Sequence, residues 1–345
     1  VKDVDAKDTL RGGIAVGQDG LVYVAGQCGL DQFTQSLAPL STPAPSPSPC
    51  DTWPHIAALL PAGPVTASGS TVSALATLPG TSAASTGSAA APLQQVLVQF
   101  DTSSHTWQPV SFIDNIALDV FVGFVQGPGV FGQPAIIGDR SVGSGFVGFL
   151  AFPNAACGPP PFLFIFPGPN VPFGAGALDS SGIIWVASDP ALNKAPSSAV
   201  NPSEIFAIDP NTSQVEHTVM LPPGSQVNGM VLGPDNAIWF TDGGLNKIGR
   251  VDRNGNFKEF PLPHGGSKPQ GITVGNDGAL WFTEKAGNRI GSITPISHIV
   301  TETVVPTSNA QPNGIIGCQN GNPCPAPSPR AVFFTEQKKL GKVTF

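Results

Sequence analysis

The sequence predicts an all-β chain folded as one β-propeller, and three observations carry that expectation. Residues 271–293, GITVGNDGALWFTEKAGNRIGSI, read as short alternating strands with tight turns at Asn276-Asp277-Gly278 and Ala286-Gly287-Asn288. The stretch recurs at residues 229–251 as GMVLGPDNAIWFTDGGLNKIGRV, so that Gly229 and Gly271, Trp239 and Trp281, Asp242 and Glu284, and Gly249 and Gly291 each stand 42 residues apart. A fixed period near 40 with several β segments per period is the mark of a propeller, each repeat being one four-stranded blade. Fainter copies lie towards both ends, at Gly13–Tyr23, at Gly174–Trp185 and from Asn313 onward. The repeat runs end to end, so residues 1–345 read as a single domain of six blades, or seven if an insertion hides one.

In chain order, VKDVDAKDTL (residues 1–10) alternates weakly and precedes the first blade strand. It is placed to complete the last blade, which otherwise stops after three strands at Phe345; the alternative is that it closes the ring of a neighbouring molecule by strand addition. Blade one opens at Gly13–Gln27 around a Gln18-Asp19-Gly20 turn. Residues 28–93 then read as a long Pro/Ser/Thr/Ala-rich insertion, with PLSTPAPSPSP limited to extended or polyproline-like backbone and Thr71–Leu78 the best strand within it. Gln95–Phe100 and Thr106–Phe112 resume the blade. Residues 113–168 suggest a degenerate second blade, in which small and aromatic residues alternate as tightly packed sheet faces require. Blade three spans about 170–223, interrupted between Asp189 and Pro202, with an Asn211-Thr212-Ser213 glycosylation acceptor in a turn. Blades four and five are the regular pair, 224–265 and 266–308. Blade six is 309–345, broken by a Cys/Pro loop at 313–331 and resumed at Val332.

Units of the form P-x-G-I-x-x-G-x-D-G-x-L-W-F-T-E-x-x-x-N-x-I-G-x-I resemble the streptogramin lyase family, virginiamycin B lyase and its relatives, most specifically over residues 224–345. The resemblance implies a propeller fold and a magnesium-assisted elimination that opens a cyclic depsipeptide ester. It also implies catalytic histidines after the proline that opens two late blades. This chain has Pro269-Gln270-Gly271 and Pro312-Asn313-Gly314 at those positions, and Gln311 where an acid precedes the second proline. Of that set only the last-blade glutamate, Glu336, is retained. The resemblance supports the fold and argues against the family's chemistry.

Composition narrows the field further. Charged residues are only 11%, below half the usual share, while 41 glycines and 37 prolines suit a chain of many turns. A net charge of −7 argues against nucleic acid or an anionic membrane as partner. No apolar run reaches the roughly 20 residues a membrane helix needs. Residues 52–100 and 141–178 carry no Asp, Glu, Lys or Arg, and all six glutamates follow residue 200. An uncharged surface of that extent suits contact with another molecule, or simply a Ser/Thr/Gly/Ala surface of a secreted protein.

Cys28 and Cys50 bracket the Pro/Ser tract and Cys318 and Cys324 bracket a short loop, which suggests two disulfide staples and an extracellular, secreted or cell-surface location. Cys157 is left over. A metal site is the weaker reading, because no C-x-x-C occurs. The start of Val1 after no apolar run reads as a mature form.

Two sets of equivalent positions are candidate site residues. Asn228, Gln270 and Asn313 stand at the start of the innermost strand in three successive blades, and Asp242, Glu284 and Glu336 at the end of the next strand. Near the channel mouth, amides and carboxylates together can take a polar ligand or a divalent cation such as magnesium, or can merely solvate the channel. Amides cannot act as acid or base, and the five histidines (His55, His105 and His217 near insertions and turns, His264 between blades, His298 in an outer strand) include no pair at ligand spacing. No catalytic residue, resident metal or cofactor is therefore assigned. The expected function is a secreted, non-catalytic propeller that self-associates as a fibre or surface subunit. The alternatives are a streptogramin lyase-like C–O lyase or a carbohydrate- or peptide-binding propeller.

Overall fold

The structure, a computed structural model, describes residues 2–5, 10–26, 30–38, 58–59, 65–68, 70–78, 94–104, 106–112, 118–125, 135–140, 145–151, 162–167, 173–188, 203–209, 212, 214–317 and 330–345. These residues form β-strands joined by turns, arranged in seven antiparallel sheets. The first sheet is Leu10–Val16, Val22–Gly26 and Leu30–Phe33. The second is Ala58–Leu59, Val65–Ser68, Thr71–Leu78, Gln94–Asp101 and Thr106–Phe112. The third is Leu118–Val125, Ala135–Arg140, Gly145–Ala151 and Phe162–Pro167. The fourth is Phe173–Leu178, Ile184–Ser188, Glu204–Asp209 and Gln214–Met220.

The regular repeats make the fifth sheet, Val227–Leu232, Ile238–Asp242, Lys247–Val251 and Phe257–Pro261, and the sixth, Pro269–Val274, Leu280–Glu284, Arg289–Ile293 and Val300–Val304. The seventh holds Ile315–Gly317, Ala331–Thr335 and Lys339–Thr344, and its outer strand is Lys2–Asp5 from the other end of the chain. Asp3 stands opposite Gly341 and Val4 opposite Leu340, so the N-terminal strand closes the ring of its own chain.

Seven sheets stand among the described residues, the alternative the sequence allows if the insertion hides a blade, because residues 28–93 contain strands. Leu30–Phe33 completes the first sheet, and Val65–Ser68 with Thr71–Leu78 begins a second sheet that Gln94–Asp101 extends. No glycine or tryptophan of the repeat marks these strands, which hides them from a periodicity search. Cys28, Cys50, Cys157, Cys318 and Cys324 lie outside the described residues, as do Asn211, Ser213 and residues 318–329 of the Cys/Pro loop.

Packing between successive sheets explains the motif. Ala15, Tyr23 and Ala25 of the first sheet meet Val65, Ala67, Val72, Ala74 and Phe100 of the second. Fourth meets fifth around Trp185, Ile205 and Phe240, fifth meets sixth around Trp239, Ile272 and Phe282, and sixth meets seventh around Trp281, Ile315 and Phe334. The ring closes where Ile14, Val16 and Phe33 meet Phe333 and Leu340, with Val4 of the N-terminal strand packed against them. Burying side chains of this size stabilises by roughly 1.5–3 kcal/mol each, which is what holds sheet on sheet.

Three motif positions have specific duties. The turn aspartate caps the aromatic of the next strand: Trp239 Nε1 donates to Asp235 at 2.9 Å, Trp281 Nε1 to Asp277 at 3.2 Å, Trp185 Nε1 to Asp179 at 3.2 Å and Tyr23 OH to Asp19 at 2.6 Å. The phenylalanine of W-F-T lies flat on the glycine of I-G: a Cβ on Gly249, Gly291 or Gly341 would sit 2.0–2.2 Å from the ring of Phe240, Phe282 or Phe334. The threonine of W-F-T joins neighbours. Thr283 Oγ1 accepts from Gly271 N at 3.0 Å and donates to Asn313 O in the next sheet at 2.6 Å.

Candidate functional site

The turns at residues 243–246 and 285–288 share one face with the connections at 262–268 and 305–313. Backbone bonds bind them together: Lys285 N donates to Lys268 O at 3.2 Å, and Gln337 N to Ala310 O at 3.3 Å. Asn246 and Asn288, both with φ near +60°, stitch turn to connection. Asn246 Nδ2 donates to His264 O at 2.8 Å, while Asn288 Nδ2 donates to Thr307 O at 2.9 Å and its Oδ1 accepts from Ala310 N at 2.7 Å. Sequence reasoning missed these two residues, although their recurrence 42 positions apart is the available signal.

All six candidate site residues belong to this face, in two layers. Asn228, Gln270 and Asn313 are half-buried; the first two lie in inner strands that run side by side, and Asn313 lies two residues before the inner strand Ile315–Gly317. The approach is close: a Cβ on Gly229 would lie 2.7 Å from Gln270 O, and one on Gly271 2.6 Å from Asn313 O. Asn228 Nδ2 spends itself on Pro269 O at 2.8 Å, and Gln270 Nε2 reaches the same carbonyl at 3.4 Å. The carboxylates lie behind. Asp242 and Glu284 are 0% exposed and Glu336 is 3% exposed.

Equivalent carboxylates do different work. Asp242 Oδ1 accepts from Gln226 N at 3.0 Å and Leu245 N at 2.9 Å, tying the incoming connection to the turn. Glu284 is surrounded by side chains instead. Burial pushes its carboxyl up to about 7; the nearby Ser267 hydroxyl opposes the rise, Glu302 adds to it, and Arg289 and His264 offset part of it. Glu302 in turn accepts from His264 Nδ1 and lies 3.8 Å from Arg289 Nε. In the fifth sheet the matching pair is Lys247 with Glu259, at 2.6 Å.

Among the described residues, no group of three or more His, Cys, Asp or Glu is placed to hold a metal ion. Magnesium requires about six oxygens near 2.1 Å. Asp242 Oδ1 is engaged by two backbone amides and the Asn228 and Gln270 nitrogens by Pro269 O, whereas Asp242 Oδ2 and both Glu284 oxygens are buried without a hydrogen-bond partner. His298 lies in the turn before Val300–Val304, not in the outer strand, and stacks on Phe260 at 4.4 Å between centroids. His217 lies within Gln214–Met220, stacked on Trp185 at 6.3 Å. Both are packing residues. No helix among the described residues is long and apolar enough to cross a membrane.

Four-stranded antiparallel sheets packed face to face in a ring, with a terminal strand closing the last, define a β-propeller. Residues 196–343 match the Virginiamycin B lyase family model. Virginiamycin B lyase from Staphylococcus aureus is similar over 100% of this chain and 98% of its own, with a TM-score of 0.67 at 20% identity. A catalytically inactive variant of the Staphylococcus aureus enzyme, solved with quinupristin, gives 0.66 at 19% over 100% and 98%. The Myceliophteria thermophila Cps50 (Swd1) β-propeller domain gives 0.64 at only 7% identity, over 100% and 99%, so the likeness to these structures is one of fold. No curated protein matches the sequence.

Proposed function

We propose that this chain is a secreted, non-catalytic propeller that acts through its surfaces as a self-associating structural or interaction subunit. The observation that carries the reading is the row Asn228, Gln270 and Asn313 at the inner-strand starts. Elimination across an ester needs one group to take a proton and another to deliver one, and an amide does neither at ordinary pH. The low charge content and the uncharged tracts 52–100 and 141–178 support the surface role. The test pairs two measurements. Incubation with quinupristin, with and without magnesium, is expected to leave the cyclic depsipeptide unopened by chromatography. Sedimentation at rising concentration is expected to show particles larger than the 35.3 kDa monomer. Turnover that disappears in Glu336→Ala would overturn the non-catalytic reading.

A second reading, a C–O lyase with a rearranged site, draws its support from Glu284, whose carboxyl stands at about 7 beside Ser267 and the His264–Glu302 pair. It predicts ring opening that fails in Glu284→Gln and persists in Gln270→Ala.

A further inference from the structure

Among the described residues, the two faces of the ring differ in which charges they show. On the face of the 243–246 and 285–288 turns, Asp242, Glu284 and Glu336 are buried, whereas Lys268, Lys285 and Lys338 are exposed. Lys247 and Arg289 on that face are turned to Glu259 and Glu302. The three exposed lysines form no salt bridge among the described residues.

The opposite face carries the turns at residues 17–20, 179–182, 233–236, 252–256 and 275–278. Ser180 Oγ donates to Asn236 Oδ1 at 2.6 Å and Arg253 Nη2 to Ser181 Oγ at 2.7 Å, which fixes these turns on one side. Here the aspartates are outermost. Asp19 and Asp277 are exposed and Asp252 partly so, and none of the three forms a salt bridge among the described residues. They stay outside because each caps its own turn: Asp277 takes Ala279 N and Trp281 Nε1, and Asp252 takes Asn254 N and Asn256 N. Arg250 and Arg253 on this face are drawn to Asp235 and Asp179, which leaves Lys258, opposite Arg250, and Arg330 as exposed cations without a salt bridge there among the described residues.

We propose that the molecule stacks head to tail on a second copy of itself, the lysine face of one ring against the aspartate face of the next. This rests on the self-association reading and gives it a geometry. A second copy is the occupant because the complementary charges lie on the same chain, at matching turns of successive repeats. Two different faces in contact make a heterologous interface, and such contacts extend into open stacks. Charge complementarity of this kind sets orientation and partner choice more than raw affinity.

The test uses two charge-altered full-length variants. Lys268→Glu, Lys285→Glu and Lys338→Glu together make both faces acidic. Gln18→Lys, Asn254→Lys and Asn276→Lys together make the other face basic while sparing every capping aspartate. Sedimentation velocity of the native protein is expected to show stacks at low ionic strength that dissociate at about 1 M salt, where screening falls to roughly 3 Å. Each variant alone should assemble at least about tenfold more weakly, since like charges then face each other. An equimolar mixture should recover stacks, because each variant's faces complement the other's. That recovery also shows that both variants are folded. Native stacks indifferent to salt and to both sets of substitutions would overturn the head-to-tail geometry and leave self-association standing. A protein that is monomeric at every concentration and salt would remove both.

Discussion

The fourth and fifth sheets hold the same packing position with different residues. In the fifth, Phe240 stands opposite Gly249, and the ring occupies the space a Cβ would need. In the fourth, Val186 stands opposite Phe206, with the large residue on the other strand. The first sheet places Val24 opposite Asp31. What the fourth and fifth sheets share at this position is one phenylalanine ring filling the space, carried on opposite strands, because interiors packed to crystal density tolerate neither a second ring nor a void. The repeat looks regular where the large residue keeps its strand, as in the fifth and sixth sheets, and fades where it changes sides.

The largest expected effect comes from breaking that volume pair. Gly291→Val would set a Cβ 2.2 Å from the Phe282 ring, and should cost about 3 kcal/mol in denaturant unfolding, at the upper end for overpacked cores. Installing the fourth-sheet arrangement instead, Phe282→Val with Gly291→Phe, should avoid most of that loss. A double variant no more stable than the single one would show that the sheets are not interchangeable at this position.

Next in size is the contrast between Glu284 and its equivalent Asp242. A carboxyl raised in the fold from 4.5 to about 7 keeps its proton longer folded than unfolded. Its contribution is therefore fully present below about 4.5 and is lost as pH rises towards 7. Glu284→Gln should flatten that decline in melting temperature and stabilise the protein at pH 8 by on the order of 2 kcal/mol. Asp242→Ala should do the reverse at neutral pH, costing about 2 kcal/mol, because two backbone N–H groups lose their acceptor.

Smaller effects probe the bonds between and within sheets. Thr283→Val removes an acceptor from Gly271 N and a donor to Asn313 O, and should cost about 1–2 kcal/mol in thermal unfolding. Trp239→Phe and Tyr23→Phe should each cost about 1 kcal/mol beyond any packing change, because each removes a donor to its turn aspartate. Similar losses at the two sites would show that the cap works alike in the regular and the irregular half.

The fold was legible where single residues have a fixed duty. Asp-Gly turns, W-F-T strands and the glycine of I-G recur because a cap, a latch and a close contact each admit few side chains. Strands Leu30–Phe33 and Val65–Ser68 were not legible, because their pairing rests on backbone bonds and small apolar residues that many sequences supply. Of the site, the amide positions could be read from the repeat. The separation of amides from carboxylates could not, because burial behind the inner strands depends on how neighbouring sheets approach.

By itself the sequence determined the β-propeller class, the equivalence of positions 228, 270 and 313, and the amides that stand there, since each follows from residue identity at a fixed period. Tertiary structure alone decided three things. It set the number of sheets, through strands with no motif. It joined Lys2–Asp5 to Lys339–Thr344, a pairing between the two ends of the chain. And it surrounded Glu284 with the side chains of Ser267, Glu302, Arg289 and His264 while Asp242 went to backbone amides, because two carboxylates at one repeat position take their chemistry from the loops folded over them.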